Sequence, residues 1–201
     1  MKAVRVNEYG GPEALSFEEI GKPVPRSNEV LVKVAAAGVN YIDTYQRSGL
    51  YQVPLPTTLG LEAAGTVEEV GDSVSNYQVG DRVAYTSVVG AYAEYASVPE
   101  EKLVSLSDGV SFNEGAAAML QGCTAHYLCK STYHVKQGDR CLIHAAAGGV
   151  GLLLIQMVKN SGGFVIGTVS TAEKAELAKE AGADEVILYS KDDFEAEVSR
   201  I

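Results

Sequence analysis

The chain has 201 residues, 46% hydrophobic and 21% charged with 21 glycines, a balance that excludes collagen-like, coiled-coil and disordered classes and fits one large domain or two small ones. Sixteen basic against 26 acidic residues give a net charge of −10, with no Lys/Arg block to meet a phosphate backbone, which argues against nucleic acid as the main partner. Three cysteines without a Cys-x-x-Cys pair suggest free thiols in a reducing compartment, no apolar run approaches a membrane span, and MKAVRVNEYG reads as a strand rather than a signal peptide, so a cytoplasmic protein without membrane association is expected.

In chain order, Lys2 to Val6, Val30 to Val34, Ala64 to Val70, the VAY that follows Gly80-Asp81-Arg82, and Ala91 to Val98 all alternate apolar with polar residues. They predict antiparallel strands with one wet face, at a spacing suited to a small barrel or sandwich. Pro23, Pro25, Pro54 and Pro56 fall between the runs and mark loops. From Ser111 to Cys129 the period becomes helical, and Glu114 three residues after Ser111 has the spacing of a capping box. CLIHA, a glycine turn, VGLLLIQMVKN, FVIGTV, TAEKAELAKEAG, EVILY and a short amphipathic tail then alternate strand and helix, a β-α-β-α-β pattern with parallel strands. The change of period places a boundary near residue 120, between a β-rich domain over 1–120 and an α/β domain over 121–201.

The turn from His144 to Gly151 follows an apolar strand and opens a helix, where a dinucleotide-binding turn sits. The G-x-G-x-x-G spacing maps to Ala146, Gly148 and Gly151, with alanine in place of the first glycine. Gly148 would let the backbone approach a pyrophosphate, Gly151 would let the helix pack on the strand, and the helix N-terminus would supply the positive pole. A tight turn with no ligand is the alternative. The second strand of this unit ends Thr168-Val169-Ser170-Thr171 without the carboxylate that commonly holds the 2′-hydroxyl of NAD, since Glu173 lies inside the next helix. A hydroxyl at Ser170, a helix start and the Lys174 ammonium suit a 2′-phosphate, so NADP is expected over NAD, although Lys174 also reads as a solvated helix face. Tyr189 either flanks the adenine-ribose side or closes that edge of the core.

The run Gly138-Asp139-x-x-Leu142-x-x-x-Ala146-Ala147-Gly148-Gly149-x-Gly151-x4-Gln156-x-x-Lys159 resembles the signature of the zinc-independent quinone oxidoreductases, the zeta-crystallin-like branch of the medium-chain dehydrogenase/reductase superfamily. GGPEAL at 10–15, GVNYIDTYQRSGLY at 38–51, GLEAAGTVEEVG at 60–71 and GDRVAY at 80–85 look like that family's substrate domain. The resemblance implies a GroES-like barrel followed by the first half of a Rossmann doubly wound parallel sheet. It implies NADPH held by Asn40, Asp43, Tyr127, Ala147, Gly148, Gly149, Val150, Gly151, Ser170, Lys174 and Tyr189, and a quinone lined by Asn40, Tyr45 and Tyr51. Asn40 and the Tyr45 hydroxyl are the candidate donors to a quinone oxygen, with Tyr45 as a candidate proton donor.

Where zinc alcohol dehydrogenases of that superfamily carry a ligand Cys and a ligand His, this chain has Asn40 and Leu61. An amide and an isobutyl group cannot replace a thiolate and an imidazole, so no metal is expected, and His126, His134 and His144 lie outside the motif. Two other functions satisfy the same residues: reduction of enones or enoyl thioesters, and a non-catalytic nucleotide- or RNA-binding role of the crystallin kind. The resemblance also implies a homodimer in the full-length family. Only 50 residues follow Gly151, enough for half of a doubly wound sheet, so a fragment or a natural short form is expected, with an open sheet edge that leaves it poorly stable alone.

Overall fold

A computed structural model describes residues 1–201. Its contacts divide the chain into two units, Met1–Leu120 and Gln121–Ile201. No helix is long and apolar enough to cross a membrane.

The first unit runs β1 (Lys2–Val6), β2 (Leu15–Glu19), β3 (Glu29–Ala37), α1 (Tyr41–Ser48), β4 (Thr57–Thr58), β5 (Glu62–Val70), β6 (Arg82–Thr86), β7 (Tyr95–Pro99), β8 (Leu103–Ser105) and the start of α2 (Phe112–His126). Five strands pair antiparallel in the order β7-β3-β5-β6-β8, and β1 pairs with β2 and β4 in a second sheet. The alternation works as expected: Val30, Val32, Val67, Val83, Tyr85 and Val98 turn inward and form one apolar cluster. Register shifts in the β3–β5 pair, at Leu31/Val32 and at Val34/Ala36, add the bulges that curl a sheet. Glycine ends α1, where Gly49 takes φ 80°, the left-handed conformation favoured for closing a helix.

Several boundaries differ from the sequence reading, two of them for local reasons. The alternating stretch from Ala91 becomes strand only at Tyr95, because the N–H groups of Gly90 and Ala91 bond to Gly60 O and the carbonyl of Tyr92 accepts from Val4 N. The helix begins as expected, with Ser111 and Glu114 exchanging bonds (Ser111 N–H to Glu114 Oε2, 2.8 Å; Glu114 N–H to Ser111 Oγ, 3.2 Å), but its α-geometry ends at His126. Tyr127–Thr132 continues as a π-helical turn.

The second unit holds β9 (Arg140–Ile143), α3 (Gly149–Asn160), β10 (Phe164–Val169), α4 (Ala172–Glu180), β11 (Glu185–Leu188) and α5 (Phe194–Arg200). The three strands are parallel in the order β11-β10-β9, so each connection crosses over through a helix. Ile155 and Val158 of α3, Ala175 and Ala178 of α4, and Val165 and Val169 of β10 form its core. Beside the edge strand β9, Tyr133 and Leu142 remain exposed.

Asp184, just before β11, ties three elements: its carboxylate accepts from Lys159 Nζ at 2.7 and 2.8 Å and from Val165 N–H at 2.7 Å. The lysine that ends the signature run is therefore engaged in a structural tie. Burial pushes the Asp184 carboxyl up, but the Lys159 ammonium and the Val165 N–H outweigh it and hold the pKa below its ordinary value. A depressed folded-state pKa stabilises the fold above the unfolded value of about 3.9, and that contribution disappears as pH falls through the folded value. Asp184→Asn is therefore less stable than the parent chain at pH 7, with a gap that narrows by pH 3; urea unfolding at the two pH values measures it.

Candidate functional site

The turn between β9 and α3 is built by contacts that leave little room for side chains. Ala145 takes φ 51°, one of two non-glycine residues in the left-handed region, and its carbonyl accepts from Gly148 N–H at 2.8 Å. Gly148 is the N-cap of α3, with extended backbone and, being glycine, no side chain of its own to cap the first N–H groups of the helix. A Cβ at Gly151 would lie 2.5 Å from Ala145 O and 2.6 Å from Ala146 O, so the third position of the motif must be glycine for the helix to pack here. The first position is alanine for an equally local reason. Ala146 is fully buried, and a Cβ added to Gly167 of β10 would come within 2.8 Å of its methyl, so the missing side chain at Gly167 makes the room that Ala146 fills.

A cavity of about 140 Å³ opens beside the turn, lined by Ala145, Ala147, Gly148, Val169, Ser170, Lys174 and Tyr189. Five of the expected cofactor residues thus meet in one place: Ala147, Gly148, Ser170, Lys174 and Tyr189. Lys174 Nζ donates to Ser170 Oγ at 3.3 Å, and Ser190 Oγ donates to Ser170 O at 2.8 Å. The Thr171 side chain caps α4 by accepting from Lys174 N–H. No carboxylate lines the cavity; that of Glu173 is folded onto its own N–H and Thr171, which lower its pKa. Gly149, Val150 and Gly151 form the first turn of α3 outside this lining, and Tyr127 stands half exposed at the start of the π-turn. A substituent at Gly149 would strike the Gln121 carboxamide. His144, not assigned a role from sequence, bonds through Nδ1 to Thr168 Oγ1 at 3.0 Å and meets the Phe194 ring edge-on.

In the first unit, Asn40 and Asp43 come together at the start of α1. Asn40 N–H donates to Asp43 Oδ2 at 2.8 Å, so Asp43 caps the helix, and Tyr92 OH donates to the same oxygen at 2.5 Å. Burial, then the bond to Asp43, pushes the Tyr92 phenol well above its ordinary pKa. Asn40 Nδ2 donates to Glu62 Oε1 at 2.7 Å, and Glu62 Oε2 accepts from Leu120 N–H at 2.5 Å. Tyr45 projects from the same helix, its ring 5.3 Å from Tyr41 and 5.2 Å from Tyr51, a cluster of which Tyr41 and Tyr51 are largely exposed. Sequence reasoning had not singled out Glu62 or Tyr92. Leu61 is buried, and no group of three or more His, Cys, Asp or Glu side chains is placed to hold a metal ion.

Two family models match the chain, the alcohol dehydrogenase GroES-like domain over 26–108 and the zinc-binding dehydrogenase over 149–201. The second stretch contains neither His nor Cys. A quinone oxidoreductase of Pseudomonas aeruginosa is 51% identical over 191 residues, covering 94% of this chain and 59% of the relative. A 2-haloacrylate reductase of a Burkholderia species is 42% identical, covering 98% of this chain and 61% of the relative. The crystal structure of Escherichia coli quinone oxidoreductase complexed with NADPH superposes with a TM-score of 0.94 at 44% identity, over 96% of this chain and 60% of that one. The chain thus spans about 60% of the length of the curated relatives it matches.

The close approach at Gly151 makes a measurable demand. Gly151→Ala is expected to destabilise the chain by about 1–3 kcal/mol in urea unfolding, the usual cost of forcing a methyl into a packed site. Gly148→Ala should cost less, because its Cβ would meet a single carbonyl at 3.1 Å. Equal losses in the two variants would show that the turn relaxes around Gly151.

Proposed function

We propose NADPH-dependent reduction of a quinone for this chain, which belongs to the medium-chain dehydrogenase/reductase superfamily together with the quinone oxidoreductases it resembles over nearly its whole length. In this reading residues 1–120 serve as the substrate domain and residues 121–201 as the dinucleotide-binding domain. The cavity beside the turn is the observation that carries it: Ser170 and Lys174 offer a hydroxyl and an ammonium where a 2′-phosphate needs them, with no opposing carboxylate in the lining. Gly148, without a side-chain cap at the head of α3, suits the pyrophosphate. The same reading includes a homodimer and a cytoplasmic location, both supported by the resemblance.

Bound NADPH supplies the hydride, and the protein's part is to hold it against an acceptor and stabilise charge on the acceptor's oxygen. A quinone accepts hydride readily, so a Lewis acid is dispensable, in keeping with an amide at Asn40 and an apolar side chain at Leu61 where zinc relatives carry ligands. Tyr45 is the candidate proton donor. Its phenol belongs to a ring cluster with exposed members, whereas that of Tyr92 is engaged with Asp43. Reduction of a conjugated carbonyl is the second reading, favoured by the likeness to 2-haloacrylate reductase. Comparing NADPH oxidation with 1,2-naphthoquinone against a 2-alkenal separates the two.

By calorimetry, NADPH should bind at least about tenfold more tightly than NADH, and Lys174→Ala should remove most of that preference while changing NADH affinity little, as expected for one charge-assisted contact. Equal affinities in the parent chain would remove the role of Ser170 and Lys174. With a reducible quinone, Tyr45→Phe should lower kcat by about 100-fold, the scale of a positioned proton donor. Full kcat in that variant would take Tyr45 out of the chemistry.

A further inference from the structure

Ala145 sits in the left-handed region at φ 51°, a conformation that alanine keeps only where its surroundings hold it there. What holds it is on the neighbouring strand. Thr168 of β10 is 1% exposed and meets the residues on both sides of Ala145: its carbonyl accepts from Ala146 N–H at 3.1 Å, and its hydroxyl is hydrogen-bonded to His144 Nδ1 at 3.0 Å. The Phe194 ring meets the His144 imidazole edge-on, with centroids 5.2 Å apart. Ala145 O then carries the conformation forward, since it accepts from Gly148 N–H at 2.8 Å and is the atom that a Cβ at Gly151 would strike. Where α3 begins is therefore set by the backbone at Ala145, which also lines the cavity with Gly148, Ser170 and Lys174.

We propose that Thr168 is a positioning residue for the cofactor: its hydroxyl, through His144, keeps Ala145 left-handed and so holds the β9–α3 turn in the shape that receives a pyrophosphate. Thr168 is absent from the lining of the cavity and acts only through the turn. It carries the one polar side chain in β10, FVIGTV, at a buried position where valine would have the same shape. The ligand in this proposal rests on the NADPH reading, while the hold on Ala145 stands on the second unit's own hydrogen bonds.

The test uses the link between the hydroxyl and the backbone conformation. Thr168→Val removes the hydroxyl and keeps the shape, and His144→Phe removes the other partner of the same bond at an exposed position. Ala145→Gly separates a positioning role from a merely structural one. Glycine occupies positive φ without help, so in that chain the turn no longer needs the hydroxyl.

In the full 201-residue chain, NADPH affinity by calorimetry should fall about fivefold in Thr168→Val and in His144→Phe, the scale of one hydrogen bond, with no further loss when the two are combined. In the Ala145→Gly chain, adding Thr168→Val should change the affinity by less than about twofold. Without cofactor, exchange of the Gly148 amide hydrogen should speed up about fivefold on Thr168→Val in the parent chain and by less than about twofold in the Ala145→Gly chain. A fivefold affinity loss that persists in the Ala145→Gly chain, or an unchanged Gly148 exchange rate in Thr168→Val, would overturn the proposal. If the parent chain bound no NADPH while the exchange rates behaved as stated, the functional reading would fall and the hold on the turn would stand.

Discussion

A charge without water must be answered by donors, and in the first unit that demand falls on Glu62. Its two bonds join β5 to the residue that begins α1 and to the middle of α2, so three elements are held at one carboxylate. The surrounding apolar residues supply most of the burial free energy, but apolar contact has no direction. The carboxylate does have direction. It fixes Asn40, whose N–H holds Asp43, which in turn holds the Tyr92 phenol. The helix carrying Tyr45 therefore starts from a chain of four hydrogen-bonded polar groups.

The second unit is organised by close approach instead of charge. Gly151 brings α3 against the carbonyls that end β9, and the parallel strands place the tips of β9 and β10 side by side. At one end of one small sheet lie the glycine-rich start of α3, a hydroxyl at Ser170 and an ammonium at Lys174. The Asp184–Lys159 tie secures the opposite ends of the same elements, where α3 finishes and β10 begins.

What could be read from the sequence follows the range of the interactions. The glycine turn, the Ser111–Glu114 cap and the β-α-β-α-β alternation are local, so residues a few positions apart reveal them. Ser170, Lys174 and Tyr189 were legible because the parallel topology predicts which strand tips meet. Glu62 and Tyr92 were not, since their partners lie 22, 58 and 49 residues away and nothing nearby marks an Ala-rich strand or a Gly-Ala-Tyr loop as polar in purpose. The late start of β7 was hidden for the same reason. Residues 91–94 alternate like a strand, yet their backbone groups are taken by Gly60 and β1, and only the fold shows it. The π-turn after His126 carries no glycine or proline to announce it.

The alanine in the first position of the turn has a consequence for how this motif varies. Positions 146 and 167 share space for a single methyl group, and here the methyl sits on β9's side while β10 has the glycine. What this packing constrains is then a volume and not a residue identity. A pattern that insists on glycine at the first position would pass over this chain. Moving the methyl across the sheet takes two substitutions, since Gly at both sites removes a buried methyl and Ala at both sites collides.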